Sequence, residues 1–439
     1  MHIPRADSLP KHDLAMRTLP RPHPYTWVVL VLTIGLMLSD YMSRQVLNAV
    51  FPALKAVWNL SDAQLGSFNS VVALMVGVLT LPLSILADRW GRVRSIVLMA
   101  ALWSLATLGC ALSTSYGNML LARALVGLGE ASYGAVGPAL IMSIFPAHLR
   151  SSLTASFMAG AALGSVIGMA LGGVIMAHLG WRWAFGAMAG FGIVLVVLYR
   201  AVVTEARLAP HLIEKASRAA SGRMRIAESA RIVLEGLFAS VSARFAYVGS
   251  GLQVFVGGAL YAWLPSYFNR YYGMPPARAG VMAAGFVLIN GLGMVLCGML
   301  VDRASKGDPT RKWGIALAYC AISALLLAIA FRVPIGTLQL VLIGAAMFVV
   351  SGTNGPSGAM VANVTPAAIH GSVFATLTLA NSLLGMAPGP FVTGFVADRI
   401  GLHGALEVLP CVGLVSMLAF ALGKRHYAGD LERAKRAHA

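Results

Sequence analysis

Apolar runs of about 20 residues, the length that crosses a hydrocarbon core, recur along the whole of this 439-residue chain. They fall at roughly 26–50, 65–87, 94–113, 118–145, 152–178, 182–203, 239–268, 280–301, 313–331, 335–362, 370–397 and 403–422. A segment in lipid must pair all of its backbone polar groups internally, so it is a helix or part of a closed barrel. These runs lack the two-residue alternation of barrel strands. The chain is therefore predicted to be an all-α membrane protein of twelve transmembrane helices. Hydrophobic residues make up 58% of the chain and charged residues 11%. Soluble domains hold about 45–50% and about 25%.

The few charges are placed with a pattern. Asp88-Arg89-Trp90-Gly91-Arg92 follows the second span, and Gly298-Met-Leu-Val-Asp302-Arg303 follows the eighth, roughly half a chain later. A charged loop repeated at half-length, each time after a membrane-length segment, indicates a duplicated unit. Two six-helix bundles follow, at 26–203 and 239–422. Between them, 204–238 is rich in Arg, Glu, Ala and Ser and is predicted to be a cytoplasmic linker, partly an amphipathic surface helix. Segments 1–25 and 423–439 are predicted to be cytoplasmic tails. Repeat-built transporters share this layout, with the substrate site between the halves near the bilayer midplane.

The net charge of +17 does not point to nucleic acid. With the N-terminus inside, the outer loops hold only Lys55, Arg182, Arg270, Arg278, Arg332 and Arg399 of the 33 Lys and Arg residues. Nearly all the rest lie on the opposite side, which is the positive-inside rule. Both termini are then cytoplasmic, and the basic excess meets anionic lipid. The four cysteines, Cys110, Cys297, Cys320 and Cys411, fall in apolar spans without a C-x-x-C pair and are expected to pack as small apolar residues. No cleavable signal peptide is visible. Met16 opens a plausible alternative start.

The motifs resemble those of the major facilitator superfamily along nearly the whole chain. Ser84-Ile-Leu-Ala-Asp88-Arg89-Trp90-Gly91-Arg92-Val93-Arg94 is similar to the family's G-x-x-x-D-R-x-G-R-[RK] loop, with Ser84 at the leading glycine and the last basic residue one place late. Arg123-Ala-Leu-Val-Gly127 resembles the R-x-x-x-G of its fourth helix. Gly160, Gly164, Gly168, Gly172 and Gly173 resemble its glycine-rich fifth helix. The strings at 127–131, 145–155 and 180–185 look most like the anion:cation symporter and Spinster-like branches, and 385–401 leans toward Spinster-like. The resemblance implies transport by alternating access. For Asp88, Arg89 and Arg92, with Asp302 and Arg303, it implies a gating role at the interface of the halves.

A charged side chain at a span centre costs about 2.5–3.5 kcal/mol on insertion scales. Asp40 and Arg44 lie four apart on one face of the first span. Arg123 and Glu130 lie seven apart on one face of the fourth. In the family these helices both line the N-half cavity, so the two pairs are expected to converge there. A substrate anion on Arg123 or Arg44 would free a carboxylate, Glu130 or Asp40, to take up a proton. Anion-branch symporters use the matching Arg and Glu of the fourth helix. The alternative is a static ion-pair network. Both branches carry Asp-Arg in the first helix, whereas here Ser43 precedes Arg44 and the acid is Asp40, which favours Glu130 as the proton carrier.

The C-half spans carry neutral polar groups instead: Gln253 and Tyr261, Asn290, Ser351, Thr353 and Asn354, and Asn381. Most such groups bond between helices; Tyr261 and Asn354 are the candidate substrate contacts. Gly355-Pro356 and Pro388-Gly389-Pro390 are expected to bend the tenth and eleventh spans. Trp181 and Trp183 are expected to anchor an outer interface.

The sequence thus points to a monomeric secondary transporter of the inner membrane that moves a small organic anion, with a proton, by alternating access. The competing reading is a Spinster-like exporter of lipids, lysolipids or amphipathic drugs. A sensor on a transporter scaffold would call for an added soluble domain. No nucleophile–base constellation, metal-ligand cluster or phosphate-binding motif suggests an enzyme, and no cofactor is expected.

Overall fold

The computed structural model describes residues 22–212, 240–365 and 370–438. Helices carry nearly all of it: α1 Pro24–Trp58, α2 Asp62–Trp90, α3 Arg92–Leu112, then α4 in two pieces, Tyr116–Glu130 and Tyr133–Ile144. There follow α5 Ala147–Leu179, α6 Trp181–Val202, α7 Val241–Tyr271, α8 Pro276–Ala304 and α9 Arg311–Ala330. α10 is also broken, running Thr337–Val350, through a 3₁₀ turn Ser351–Thr353, to Asn354–Asn363. α11 (370–400) and α12 (402–438) are parted by Gly401, whose φ of 79° no helix accepts. The twelve expected spans are thus present.

The connections are local chemistry. Ser61 closes a capping box on α2: its hydroxyl accepts from the Gln64 N–H, and the Gln64 amide oxygen accepts from the Ser61 N–H. This satisfies donors that a helix start leaves unpaired. Gly91 turns the chain from α2 into α3 at φ 96°, a region that glycine enters without steric cost. The expected bends exist too. α10 tightens just before Gly355-Pro356, and α11 widens into a π-helical stretch, Asn381–Met386, just before Pro388. Proline disrupts the preceding turn of hydrogen bonds, which accounts for both.

Packing follows small residues. α5 lies against α1: a Cβ on Gly164 would meet the Leu38 carbonyl oxygen, and one on Gly168 the Met42 backbone. α2 packs on α11 and α5 on α8 across the two bundles, and these two contacts exchange under the half-chain repeat. Outward faces are apolar: Val31, Leu112, Leu121 and Leu338 are each at least 60% exposed. On helices long and apolar enough to cross a membrane, that is a lipid-facing exterior.

Several expectations need correction. Trp181 is buried and packs edge-on against Trp58, while Trp183 is exposed; two residues along an α-helix are about 200° apart around its axis, so only Trp183 can reach an interface. Cys411 is exposed rather than packed inside. The C-terminal segment continues α12 to His438, and its Asp430 accepts the Ser242 N–H at the start of α7. Of the expected linker, 213–238 lies outside the described residues; Glu205–His211 forms two short turns.

Candidate functional site

Four charges meet inside the first bundle. Arg44 on α1 donates to Glu130 of α4 at 2.6 Å and lies 3.6 Å from Asp40, one turn away on its own helix. Asp40, Arg123 and Glu130 are almost completely buried. The Asp40 and Glu130 carboxyls face each other beside Arg44. Each keeps one buried oxygen, Oδ1 and Oε1, with no hydrogen bond among the described residues. A single proton shared by the two carboxyls would supply the missing donor.

The convergence is as expected, but the pairing differs. Glu130 ends the first piece of α4, and its partner is Arg44, not Arg123. Arg123 is spent on main chain instead, donating to the carbonyls of Ser43 (3.2 Å) and Phe68 (3.4 Å). Two carboxylates thus share one guanidinium, and a second guanidinium is left with no carboxylate partner among the described residues.

Both arginines border a chamber between the bundles. Its other walls include Gln45, Asn48 and Asn69 from the first bundle and Tyr261 and Met386 from the second. The free space, about 40 Å³, holds a few waters; anything larger requires the bundles to part. The amides form a chain, with Asn69 donating to Asn48 (2.7 Å) and Asn48 to Gln45 (2.6 Å). Asp40 and Glu130 do not line this chamber: Arg44 stands between it and them.

Tyr261 reaches the chamber, and its hydroxyl donates to Asn290 at 2.5 Å. Asn354 does not line it. The 3₁₀ turn before it winds tighter than an α-helix and changes the face that follows. Gln253, Asn290, Ser351 and Asn381 bond to Ser323, Met347 and each other's neighbours across helices. They tie the second bundle together.

Sequence reasoning missed a second charged cluster, at the end where α1 finishes and α2 begins. Arg270 of α7 donates to both oxygens of Asp62 on α2 (2.7 and 2.6 Å), and Lys55 of α1 donates to the same carboxylate (2.6 Å). Asp398 of α11 accepts from the main-chain N–H groups of Asp62 and Ala63 (2.7 and 2.9 Å). A carboxylate from one bundle therefore caps a helix of the other, where the helix dipole favours it. A signal was present: Asp398-Arg-Ile-Gly401 repeats Asp88-Arg-Trp-Gly91, down to the positive φ of its glycine.

At the opposite end, the Asp88 side chain lies outside the described part of the structure. Arg89 is exposed, and Arg92 donates to the Ala139 carbonyl in its own bundle (3.0 Å). Asp302 and Arg303 are exposed. No hydrogen bond across the bundles is recorded for these four among the described side chains.

The profile of the Major Facilitator Superfamily matches residues 33–390 and 246–438. Among similar proteins, Protein spinster homolog 1 of Xenopus laevis is 25% identical over 399 residues, covering 85% of this chain and 73% of the relative. The Probable L-galactonate transporter of Escherichia coli K12 is 25% identical over 436 residues, covering 96% and 94%. Among solved structures, a bacterial homologue of the human lysosomal transporter Spinster superposes with a TM-score of 0.82 at 18% identity, covering 93% of this chain and 99% of that one. A D-xylose-proton symporter gives 0.68 at 20%, covering 90% and 97%.

Proposed function

This chain belongs to the major facilitator superfamily, a family of multi-pass membrane transporters, and we infer that it moves a small organic anion together with a proton. The observation that carries this reading is the unequal sharing of charge: Asp40 and Glu130 depend on Arg44 alone, while Arg123 faces the chamber with no carboxylate of its own.

The cycle follows from that imbalance. An anion in the chamber is drawn to Arg123 and to the exposed edge of Arg44. As Arg44 turns toward it, Asp40 and Glu130 lose their counter-charge. Two like charges cannot both persist in a low-dielectric interior, so the pair binds one proton between Oδ1 and Oε1. Substrate and proton then load together, and the neutralised bundle carries no excess charge when the halves rock. On this reading the Asp62 end faces outward and is closed, both termini are cytoplasmic, and the Asp88 and Asp302 loops form the gate of the opposite end. The membrane is the inner membrane, and one chain suffices for transport.

The second reading, export of an amphipathic lipid, is the one that the Spinster-like motif at 385–401 implies. The two guanidinium groups and three amides on the chamber wall favour the anion.

Proteoliposomes under an imposed pH gradient test both. A panel of L-galactonate, other sugar acids, simple carboxylates and a lysolipid is offered to the wild type and to Glu130→Gln. Accumulation of a carboxylate in the direction of the proton gradient, lost in the variant, is the expected result. Movement of the lysolipid alone would establish the alternative.

A further inference from the structure

The carboxylates sit behind Arg44, shut off from the chamber, which raises the question of how a proton reaches or leaves them. Polar hydroxyls buried in this first bundle differ in how they are satisfied. Most spend their proton on their own helix: Thr33 donates to Val29, Thr107 to Trp103 and Ser165 to Ala161. Ser39, Ser104 and Tyr199 do not. Each is fully buried; the Ser39 and Ser104 hydroxyls, like that of Ser43 beside Arg44, make no hydrogen bond among the described residues, and the Tyr199 hydroxyl has only the Thr33 side chain to turn to. A buried hydroxyl without a partner costs about 1–3 kcal/mol and calls for an explanation.

Their positions supply one. Ser39 adjoins Asp40 on α1, and Ser104 of α3 meets it over Gly192 of α6, where a Cβ would touch both hydroxyls. Next toward the Asp88 end come Tyr133 and Thr33, joined by a hydrogen bond of 2.6 Å from the Tyr133 hydroxyl to the Thr33 carbonyl. Tyr133 is within electrostatic reach of both Asp40 and Tyr199. Tyr199 faces the Thr33 side chain and lies near Tyr25 and Glu205. Tyr25 donates to the Val202 carbonyl at 3.2 Å, and both it and Glu205 are partly exposed. Along α1 the series drops about 10 Å from Asp40 to Thr33 and about 12 Å more to Tyr25.

We propose that Ser39, Ser104, Tyr133 and Tyr199 form a proton route inside the first bundle, from the Asp40–Glu130 pair to the surface at Tyr25 and Glu205, separate from the substrate chamber. The balance is simple. The protonated carboxyl releases its proton to the first hydroxyl and becomes a carboxylate. Each hydroxyl accepts one proton and passes on its own, with single waters bridging between them. The last proton leaves to bulk water beside Glu205. Arg44 and Arg123 bar the other direction, since two cations repel a proton moving toward the chamber. Substrate and proton would then leave by different doors.

This rests on the proton-coupled reading, and the experiment separates the two without needing a substrate. Purified protein in detergent micelles is given a rapid pH jump while the infrared band of protonated carboxyls is followed. Asp40→Asn and Glu130→Gln identify the band of the pair; if neither removes it, the coupled reading falls, and this route with it. If they do, Ser39→Ala/Ser104→Ala and Tyr199→Phe are expected to slow protonation about tenfold or more, with the amplitude and midpoint of the titration unchanged. Ser165→Ala, whose hydroxyl bonds its own helix, is expected to match the wild type. Wild-type rates in all variants would overturn the route. So would a shifted midpoint at an unchanged rate, which marks an effect on packing or field rather than on transfer.

Discussion

The two charged clusters are built from the same residue types and differ in what they join. Asp40, Arg44, Arg123 and Glu130 belong to one bundle, so their distances survive when the bundles move. Lys55, Asp62, Arg270 and Asp398 are divided between the bundles, so parting that end must break their bonds. The first cluster can change its charge without changing the fold. The second can change the conformation without changing any charge. One suits coupling and the other suits closure. The half-chain repeat does not require this division, because the second bundle keeps the helices of the first and, at the depth of Asp40 and Glu130, carries amide and hydroxyl bonds instead of ions.

The sharpest way to break the comparison is to neutralise the cluster inside the first bundle. Glu130→Gln is expected to lower gradient-driven accumulation by about a hundredfold, in the range lost with a proton-transfer group, while exchange of substrate at equal pH persists. Loss of both activities together would mean that Glu130 only holds α1 to α4. Arg123→Lys keeps the charge but loses the planar fork that spans the Ser43 and Phe68 carbonyls. Substrate binding should weaken about tenfold or more, read by equilibrium binding in detergent, and intact affinity would remove Arg123 from the substrate site.

The closure cluster is addressed by Asp62→Asn. It removes the carboxylate shared by Arg270 and Lys55 and is expected to favour the state open at that end by about 2 kcal/mol, roughly thirtyfold in population. Spin-label distances between the tips of α2 and α7 report it, and an unchanged distribution would deny the cluster a gating part. Gly164→Ala tests the scaffold common to both. Its Cβ would press into the Leu38 backbone, so a loss of about 1–3 kcal/mol in stability is expected, measured by thermal unfolding. The smallest effect belongs to Tyr261→Phe, which gives up the bond to Asn290 at about 1 kcal/mol and should lower affinity a few-fold at most.

Much of this was legible in the chain itself. The lengths and composition of the apolar runs set the membrane and the twelve spans, because lipid leaves a backbone no other way to satisfy its polar groups. Helical periodicity placed Asp40 beside Arg44, and the repeated Asp-Arg loop divided the chain into halves. The same reading put every deep charge in the first half. What it could not supply was partnership between helices. Glu130 met Arg44, 86 residues away, rather than Arg123 on its own face. Asp62 found Arg270 at a separation of 208 residues, and Asp398 found the start of α2 at 336. Periodicity fixes the face and height of a residue on its own helix. The rotation and tilt that bring two helices together come from packing, here from glycines such as Gly164 and Gly168 that seat α5 against α1. Sequence therefore determined which charges the membrane would have to bury, and the tertiary structure alone decided which of them would share a partner.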